Sequence, residues 1–348
     1  MTRVLPAEWA PQSGVMLTWP HDDSDWAPLL NEADTVFAAI GTAVTRFQRL
    51  LVVCRDEEHR GHVTRRLTEQ GADPARVTAA LAPSDDTWAR DHGPVTVLED
   101  RRPVLLDFIF NGWGGKYPAA RDNRITARLH AQAVFGETPL EPVDLVLEGG
   151  SIESDGLGTL LTTSGCLLTP TRNPHLDRTT TEHALKASLG VERVLWLEHG
   201  RLEGDDTDGH VDTLARLCSP DTIAYITCTD RNDAHHGPLK AMEAELRALR
   251  TADGRPYRLV PLPLPAPIRD TDGRRLPATH ANFLIINGAV LVPTYDDPAD
   301  RLALDRLTGV FPGREIIGID CRTLIRQYGS LHCVTMQLPE GVLIPTAG

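Results

Sequence analysis

Strand-length apolar runs recur along the whole chain and leave room for few helices. GVMLTW (14–19), RLLVVC (49–54), PVTVL (94–98), PVLLDFIF (103–110), DLVL (144–147), GTLLTT (158–163) and RVLWL (193–197) fill the first part. LARLC (214–218), TIAYITC (222–228), YRLVPLPL (257–264), ANFLII (281–286), AVLVPTY (289–295), EIIGID (315–320) and CVTMQL (333–338) follow. Most are rich in β-branched residues and bounded by Gly, Pro, Asp or Asn, the pattern of short strands. Longer helical patterns are fewer: Asn31 to Arg49, Glu57 to Gln70, Thr179 to Leu189, Gly237 to Thr251 and Pro298 to Thr308. A doubly wound sheet alternates strand and helix one for one, so this excess of strands argues against it. The residues read as one large mixed α/β domain over 1–348, built of strand-rich units. The Pro-rich PLPLPAPIRDTDGRRLP (261–277) is either a boundary or an edge strand followed by a surface loop.

Charge narrows the partners. The net charge is −13 and no Lys/Arg run stands out, which speaks against nucleic acid and favours approach of a cationic ligand. No segment reaches the roughly 20 consecutive apolar residues of a membrane helix, and MTRVLPAEWAPQSG lacks the apolar core of a secretory signal. The cysteines (54, 166, 218, 228, 321, 333) are far apart and form no CxxC, so reduced thiols, a cytoplasmic location and no metal site are expected. A homodimer is compatible with such a chain.

Four polar clusters interrupt the strand pattern. DDTWARDHGP (85–94) sets Asp86, Trp88 and Asp91 before a Gly-Pro turn; LVLEGGSIESDG (145–156) ends a strand on Glu148 and two glycines. GDDTDGHVDT (204–213) has acids like a calcium loop but no closing glutamate, which leaves His210-x-Asp212. In an extended segment those two side chains share a face. YGSLHCVTMQLP (328–339) puts His332 beside Cys333, but neighbours on a strand point to opposite faces, so His332 is read as a packing residue or a support behind the site, and His210 as the partner of the thiol. Asp91, Glu148 and Asp212 are too many carboxylates for a thiol protease, because negative charge raises a thiol pKa. They suit a substrate with a fixed positive charge, and a guanidinium offers carboxylates a fork of donors.

The ordered set WARDHGP (88–94), FNGWGGKY (110–117), LEGGSIESDG (147–156), TRNP (171–174), DTDGHVD (206–212), NFLIING (282–288) and SLHCVT (330–335) resembles the agmatine deiminase and bacterial peptidylarginine deiminase family, as does MLTWPHDDSDW (16–26). That resemblance implies a pentein, or α/β propeller, of five ββαβ-type units around a pseudo-fivefold axis. It implies that Asp91 and Asp212 hold a guanidinium, that Glu148 orients His210 and that Cys333 attacks the central carbon. Hydrolysis of agmatine to N-carbamoylputrescine and ammonia, a step of putrescine and polyamine synthesis, is the leading expectation, with no cofactor. Trp88 and Trp113 would flank the substrate chain, and Asp86 and the acids Asp205, Asp206 and Asp208 would meet its far end. Arg90 and Arg172 are the motif arginines open to clamp the α-carboxylate of arginine or a peptidyl arginine. Amidino transfer to an amine is a competing reaction through the same adduct, and a non-catalytic binding pentein is the competing reading from outside enzymes. The segment Tyr328–Leu331 departs from the glycine-richer run that precedes the family's cysteine.

Overall fold

The computed structural model describes residues 2–343. Among these residues the strands form five sheets. One contains Arg3–Val4, Val95–Glu99, Arg102–Ile109 and Leu140–Val146; the next contains Ile152–Ser154, Thr159–Thr163 and Arg193–Leu197. The third joins Ala215–Ser219, Thr222–Thr227 and Arg258–Pro263, and the fourth Leu284–Ile286, Ala289–Thr294 and Glu315–Asp320. In the fifth, the C-terminal strand Thr335–Pro339 pairs with Gln12–Thr18, followed by Arg49–Cys54 and Val77–Leu81.

Each sheet repeats one pattern. An antiparallel pair comes first, and its second strand then pairs in parallel with a third across a helical connection. Parallel pairing needs such a crossover, and the principal helices supply it: Leu30–Thr45, Ile125–Ala131, Arg178–Leu189, His236–Ala248 and Pro298–Val310. Their ends follow local chemistry. Asp177 and Asp297 form capping boxes at two of them, and Pro298 sits in the first turn, where its missing N–H is harmless.

Strands covered on both faces lose the alternation of a half-wet sheet. Leu50, Leu51, Val52 and Val53 are accordingly all buried, as are Leu284, Ile285, Ile286, Ala289, Val290, Leu291 and Val292. The Pro-rich stretch supplies the edge strand Arg258–Pro263, in register with Thr222–Thr227, so the edge reading holds there. Proline is tolerated at an edge because no further strand asks for its N–H.

Two local expectations need correction. Cys333 does not lie in a strand: residues 331–334 form a turn, with Thr335 N–H donating to His332 O (3.0 Å), and the strand begins at Thr335. Likewise His210-x-Asp212 is not extended, since Val211–Thr213 is a single 3-10 turn. Alternation of faces therefore governs neither pair. Turn geometry does.

Candidate active site

The turns that lead into the first strand of each sheet carry the chemistry. Ala89–His92 precedes Val95–Glu99 and brings Asp91; Glu148 and Gly149–Ser151 precede Ile152–Ser154. His210 and Asp212 precede Ala215–Ser219, Asn282 precedes Leu284–Ile286, and Cys333 precedes Thr335–Pro339. Strands point side chains across a face, whereas a short turn at a strand's start can aim several at one spot.

These groups are all buried: Asp91 is 5% exposed, Cys333 4%, and Glu148, His210 and Asp212 are fully covered. Asp91 is held at both oxygens, Oδ1 accepting from Gly150 N–H (3.0 Å) and Oδ2 from Trp113 Nε1 (2.9 Å). Trp113 makes that bond with φ +54, a left-handed conformation that costs a non-glycine residue about 1–2 kcal/mol. His210 lies between two acids, Nδ1 3.7 Å from Asp91 Oδ1 and Nε2 3.6 Å from Glu148 Oε2. Among the described residues neither nitrogen has a hydrogen-bond partner, and neither does Asp212 Oδ1. Cys333 Sγ lies 4.0 Å from Asp212 Oδ2 and 3.4 Å from Asn282 Oδ1. Gly150 is obligatory at the centre: a Cβ there would sit 2.5 Å from His210 Nδ1, 2.9 Å from Asp91 Oδ1 and 3.1 Å from Asp212 Oδ2.

Electrostatics set the resting protonation. Burial raises the Cys333 thiol pKa well above its ordinary value, and Asp212 and Asp91 add to this. Burial would lower the pKa of His210, yet Asp91, Cys166 and Glu148 raise it well above the ordinary histidine value. These directions favour a neutral thiol on Cys333 and a protonated ring on His210. Burial also raises the carboxyl of Asp91, with Asp212 and Glu148 reinforcing it against His210. For Glu148, burial is overcome by His210 and Arg172, which hold it below the usual carboxylate range.

Sequence reasoning missed three residues, Asn282, Glu8 and Arg216, and gave a fourth, Arg172, another role. Arg172 Nε donates to both oxygens of Glu148 (2.9 and 2.7 Å), so Glu148 is already paired when it faces His210. Asn282 Oδ1 accepts from His332 N–H (2.9 Å) and Cys333 N–H (3.3 Å), which fixes the turn of the thiol. Glu8 and Arg216 form a buried pair (2.9 Å) behind His332. TRNP and NFLIING stand out in the sequence as segments, but these contacts span tens to hundreds of residues and no local pattern reports them.

Beside Cys333 opens a narrow cleft lined by Trp88, Trp113, Tyr117 and Tyr328 and by the acids Asp25, Asp86, Asp91 and Asp206. Trp88, Trp113, Asp86 and Asp206 thus share one cleft with the thiol. Asp205 and Asp208 do not line it. Asp205 accepts from Thr207 and Gly209 N–H and braces its own loop, while Asp208 is paired with Arg172 (2.7 Å) and Lys116 (3.0 Å). Asp86 accepts from Trp26 Nε1 (2.9 Å), and burial raises its pKa. Gly329, in the segment before the thiol, packs under the Trp88 ring with no space for a Cβ. Gly329→Ala is expected to cost about 1–3 kcal/mol by overpacking and to raise KM by displacing Trp88, measured as Tm and steady-state kinetics.

Two sets of donors lie close enough for a metal among the described residues: Glu148, Cys166 and His210, and Glu8, Glu153 and His332. In both, guanidinium groups already occupy the carboxylates, Arg172 on Glu148 and Arg216 on Glu8 and Glu153. Neither donor set suits a cation.

The model of the Porphyromonas-type peptidyl-arginine deiminases matches residues 4–339. The agmatine deiminase of Pseudomonas aeruginosa (strain LESB58) is 34% identical, over 96% of this chain and 95% of its own. A Cys-to-Ser variant of C. jejuni agmatine deiminase with substrate bound superposes with TM-score 0.90 at 37% identity, covering 98% of this chain and 97% of that one. A Porphyromonas gingivalis protein provisionally described as an arginine deiminase gives TM-score 0.92 at 53% identity, covering 98% and 100%.

Proposed function

The chain belongs to the family of Porphyromonas-type peptidyl-arginine deiminases, and on that premise we propose that it hydrolyses agmatine to N-carbamoylputrescine and ammonia through a covalent adduct on Cys333. The observation that carries the reading is a buried cluster in which Cys333 meets Asp212, and Asp91 and His210 close round Gly150 with it, leaving Asp212 Oδ1 and both nitrogens of His210 unpartnered among the described residues. Buried polar atoms are rarely left unpaired: Asp212 Oδ1 can accept from the N–H groups of a planar cation, with Asp91 as a second acid, while the protonated His210 is left as a donor. The repeated antiparallel-then-parallel units support a single pentein domain of five ββαβ-type units about a pseudo-fivefold axis, with the site at the converging turns.

Asp91 and Asp212 grip the guanidinium and set its carbon about 3–3.5 Å from Sγ. The arriving positive charge offsets the two carboxylates that hold the thiol neutral, so Cys333 ionises on binding and releases its proton to water, to be reprotonated by the O-protonated urea as the product forms. The thiolate attacks the carbon and an S–C bond forms. His210 gives its proton to the departing nitrogen, the C–N bond breaks and ammonia leaves, with an amidino thioether left on Cys333. Neutral His210 then takes a proton from water, whose oxygen attacks the same carbon. The S–C bond breaks, the thiolate returns and the ureido product departs. Glu148, neutralised by Arg172, keeps His210 in place through both transfers.

The cleft favours a second positive charge over an α-carboxylate. Its lining holds acids and no Lys or Arg. Arg90 and Arg172 are both spent: Arg90 bonds to Gln337 and lies 3.6 Å from Glu8, and Arg172 bonds to Glu148 and Asp208. Asp206 faces the cleft beside the Tyr117 hydroxyl that donates to it. Asp206→Asn is expected to raise the KM for agmatine about tenfold with a smaller change in kcat. Ammonia release from agmatine, arginine and C-terminal arginyl peptides tests the substrate. Turnover of agmatine with the highest kcat/KM supports the reading, and none at millimolar agmatine refutes it.

A further inference from the structure

His332 lies outside the steps above, yet its surroundings are not those of a packing residue. Its ring is 1% exposed, with Nδ1 2.7 Å from Asp212 Oδ2 and Nε2 2.6 Å from Glu8 Oε2. An ionised carboxylate only accepts, so two such contacts require both ring nitrogens to donate, which is the imidazolium form. Both acids are kept ionised. Glu8 Oε2 also accepts from Arg216 Nη2 (2.9 Å), and Arg90 Nη2 lies 3.6 Å away. Burial would raise both acids, but Arg216 and His332 bring Glu8 far below the usual range, and His332 lowers Asp212. The backbone is pinned as well, His332 N–H reaching Asn282 Oδ1 (2.9 Å) and Asn282 O (3.1 Å).

The consequence for Asp212 is specific. Its Oδ2 is committed to His332, while Oδ1 has no partner among the described residues and remains for a ligand. We propose that His332 is a positioning residue: a buried imidazolium, held between Glu8 and Asp212, that fixes the orientation of Asp212 for the guanidinium and offsets its charge beside Cys333. The proposal rests on the reading that this site takes a planar cation. It assigns a purpose to the otherwise costly burial of Glu8, Arg216 and Glu153 behind the site, because a group of paired charges satisfied at every member is rigid. It also explains adjacency in sequence: the turn that presents Cys333 presents the clamp of Asp212 at the same time.

The test compares two alkylating agents, 2-chloroacetamidine, which carries an amidinium, and neutral 2-chloroacetamide. In each the Cys333 thiolate displaces chloride and an S–C bond forms. Wild type is expected to react faster with the amidinium. In His332→Gln the ratio of the two rates is expected to fall at least tenfold while the neutral rate moves less. The kcat/KM for agmatine is expected to fall about 100-fold, as for a misplaced gripping group. Glu8→Gln, which keeps volume and hydrogen-bonding capacity, is expected to lower the same ratio by a smaller factor and carries the test if His332→Gln does not fold. An unchanged ratio in a folded variant overturns the proposal, whether or not activity drops, because a merely structural residue would slow both reagents alike. A wild type with no preference for the amidinium contradicts the guanidine reading itself, so the two failures are distinct.

Discussion

Replacing Cys333 by alanine is expected to lower kcat for agmatine by about 10⁴-fold or more while leaving the fold and agmatine binding in place. Loss of a nucleophile in an assembled catalytic set removes nearly all of its joint contribution, by order of magnitude what other covalent hydrolases lose. The sulfur touches Asn282 Oδ1 and Asp212 Oδ2, neither of which depends on it for a hydrogen bond: Asn282 keeps the N–H groups of His332 and Cys333, and Asp212 keeps His332. Removing Sγ also removes a thiol that burial and two carboxylates hold neutral, so the stability change is small, about 1 kcal/mol. Steady-state kinetics and equilibrium dialysis with labelled agmatine check both halves.

His210→Gln is expected to cost about 10³-fold in kcat, because the ring serves as acid for ammonia and then as base for water. It is also expected to change how stability depends on pH. The folded-state pKa of His210 is raised above its unfolded value by Asp91, Cys166 and Glu148 against burial. The stabilisation it supplies is therefore fully present below the unfolded value near 6.5 and is lost as pH rises through the folded value. Cys333 acts in the same direction. Its raised pKa means the folded state holds the proton that the unfolded chain releases above about 8.5, so stability falls as pH passes that value. Wild type is expected to lose Tm on the alkaline side of neutrality, and His210→Gln to show a shallower loss. A Gln variant with the wild-type slope contradicts the assignment of a raised pKa to this ring.

Cys333 and His210 were legible because the chemistry of residue types crosses any distance in sequence: a thiol, an imidazole and three acids at the ends of apolar runs suggest one pocket. The geometric rule that paired His210 with Asp212 and set His332 apart from Cys333 was local, and there it failed. Both the 331–334 segment and Val211–Thr213 are turns, and alternation of faces applies only within strands. The surplus of carboxylates also reads differently once partners are visible. Glu148 is paired with Arg172, and Asp212 with His332 at one oxygen only, which leaves Asp91 and Asp212 Oδ1 to meet a cation. Those pairings join residues 24 and 120 positions apart, and Glu8 reaches His332 across 324. Sequence spacing carries no trace of such contacts. The strands were easier, since continuous β-branched runs mark sheets buried on both faces, and the five leading turns became visible only when the sheets were paired.

The mechanism stands on one event: the guanidinium carbon becomes bonded to Cys333 before water enters. Mixing wild-type protein with agmatine, quenching in acid within the first turnovers, digesting and weighing the peptide that contains Cys333 reads that event out. A gain on that peptide equal to agmatine less ammonia is expected, absent in Cys333→Ala. Turnover of agmatine with no adduct on Cys333 at any quench time, or an adduct on another residue, would contradict the mechanism.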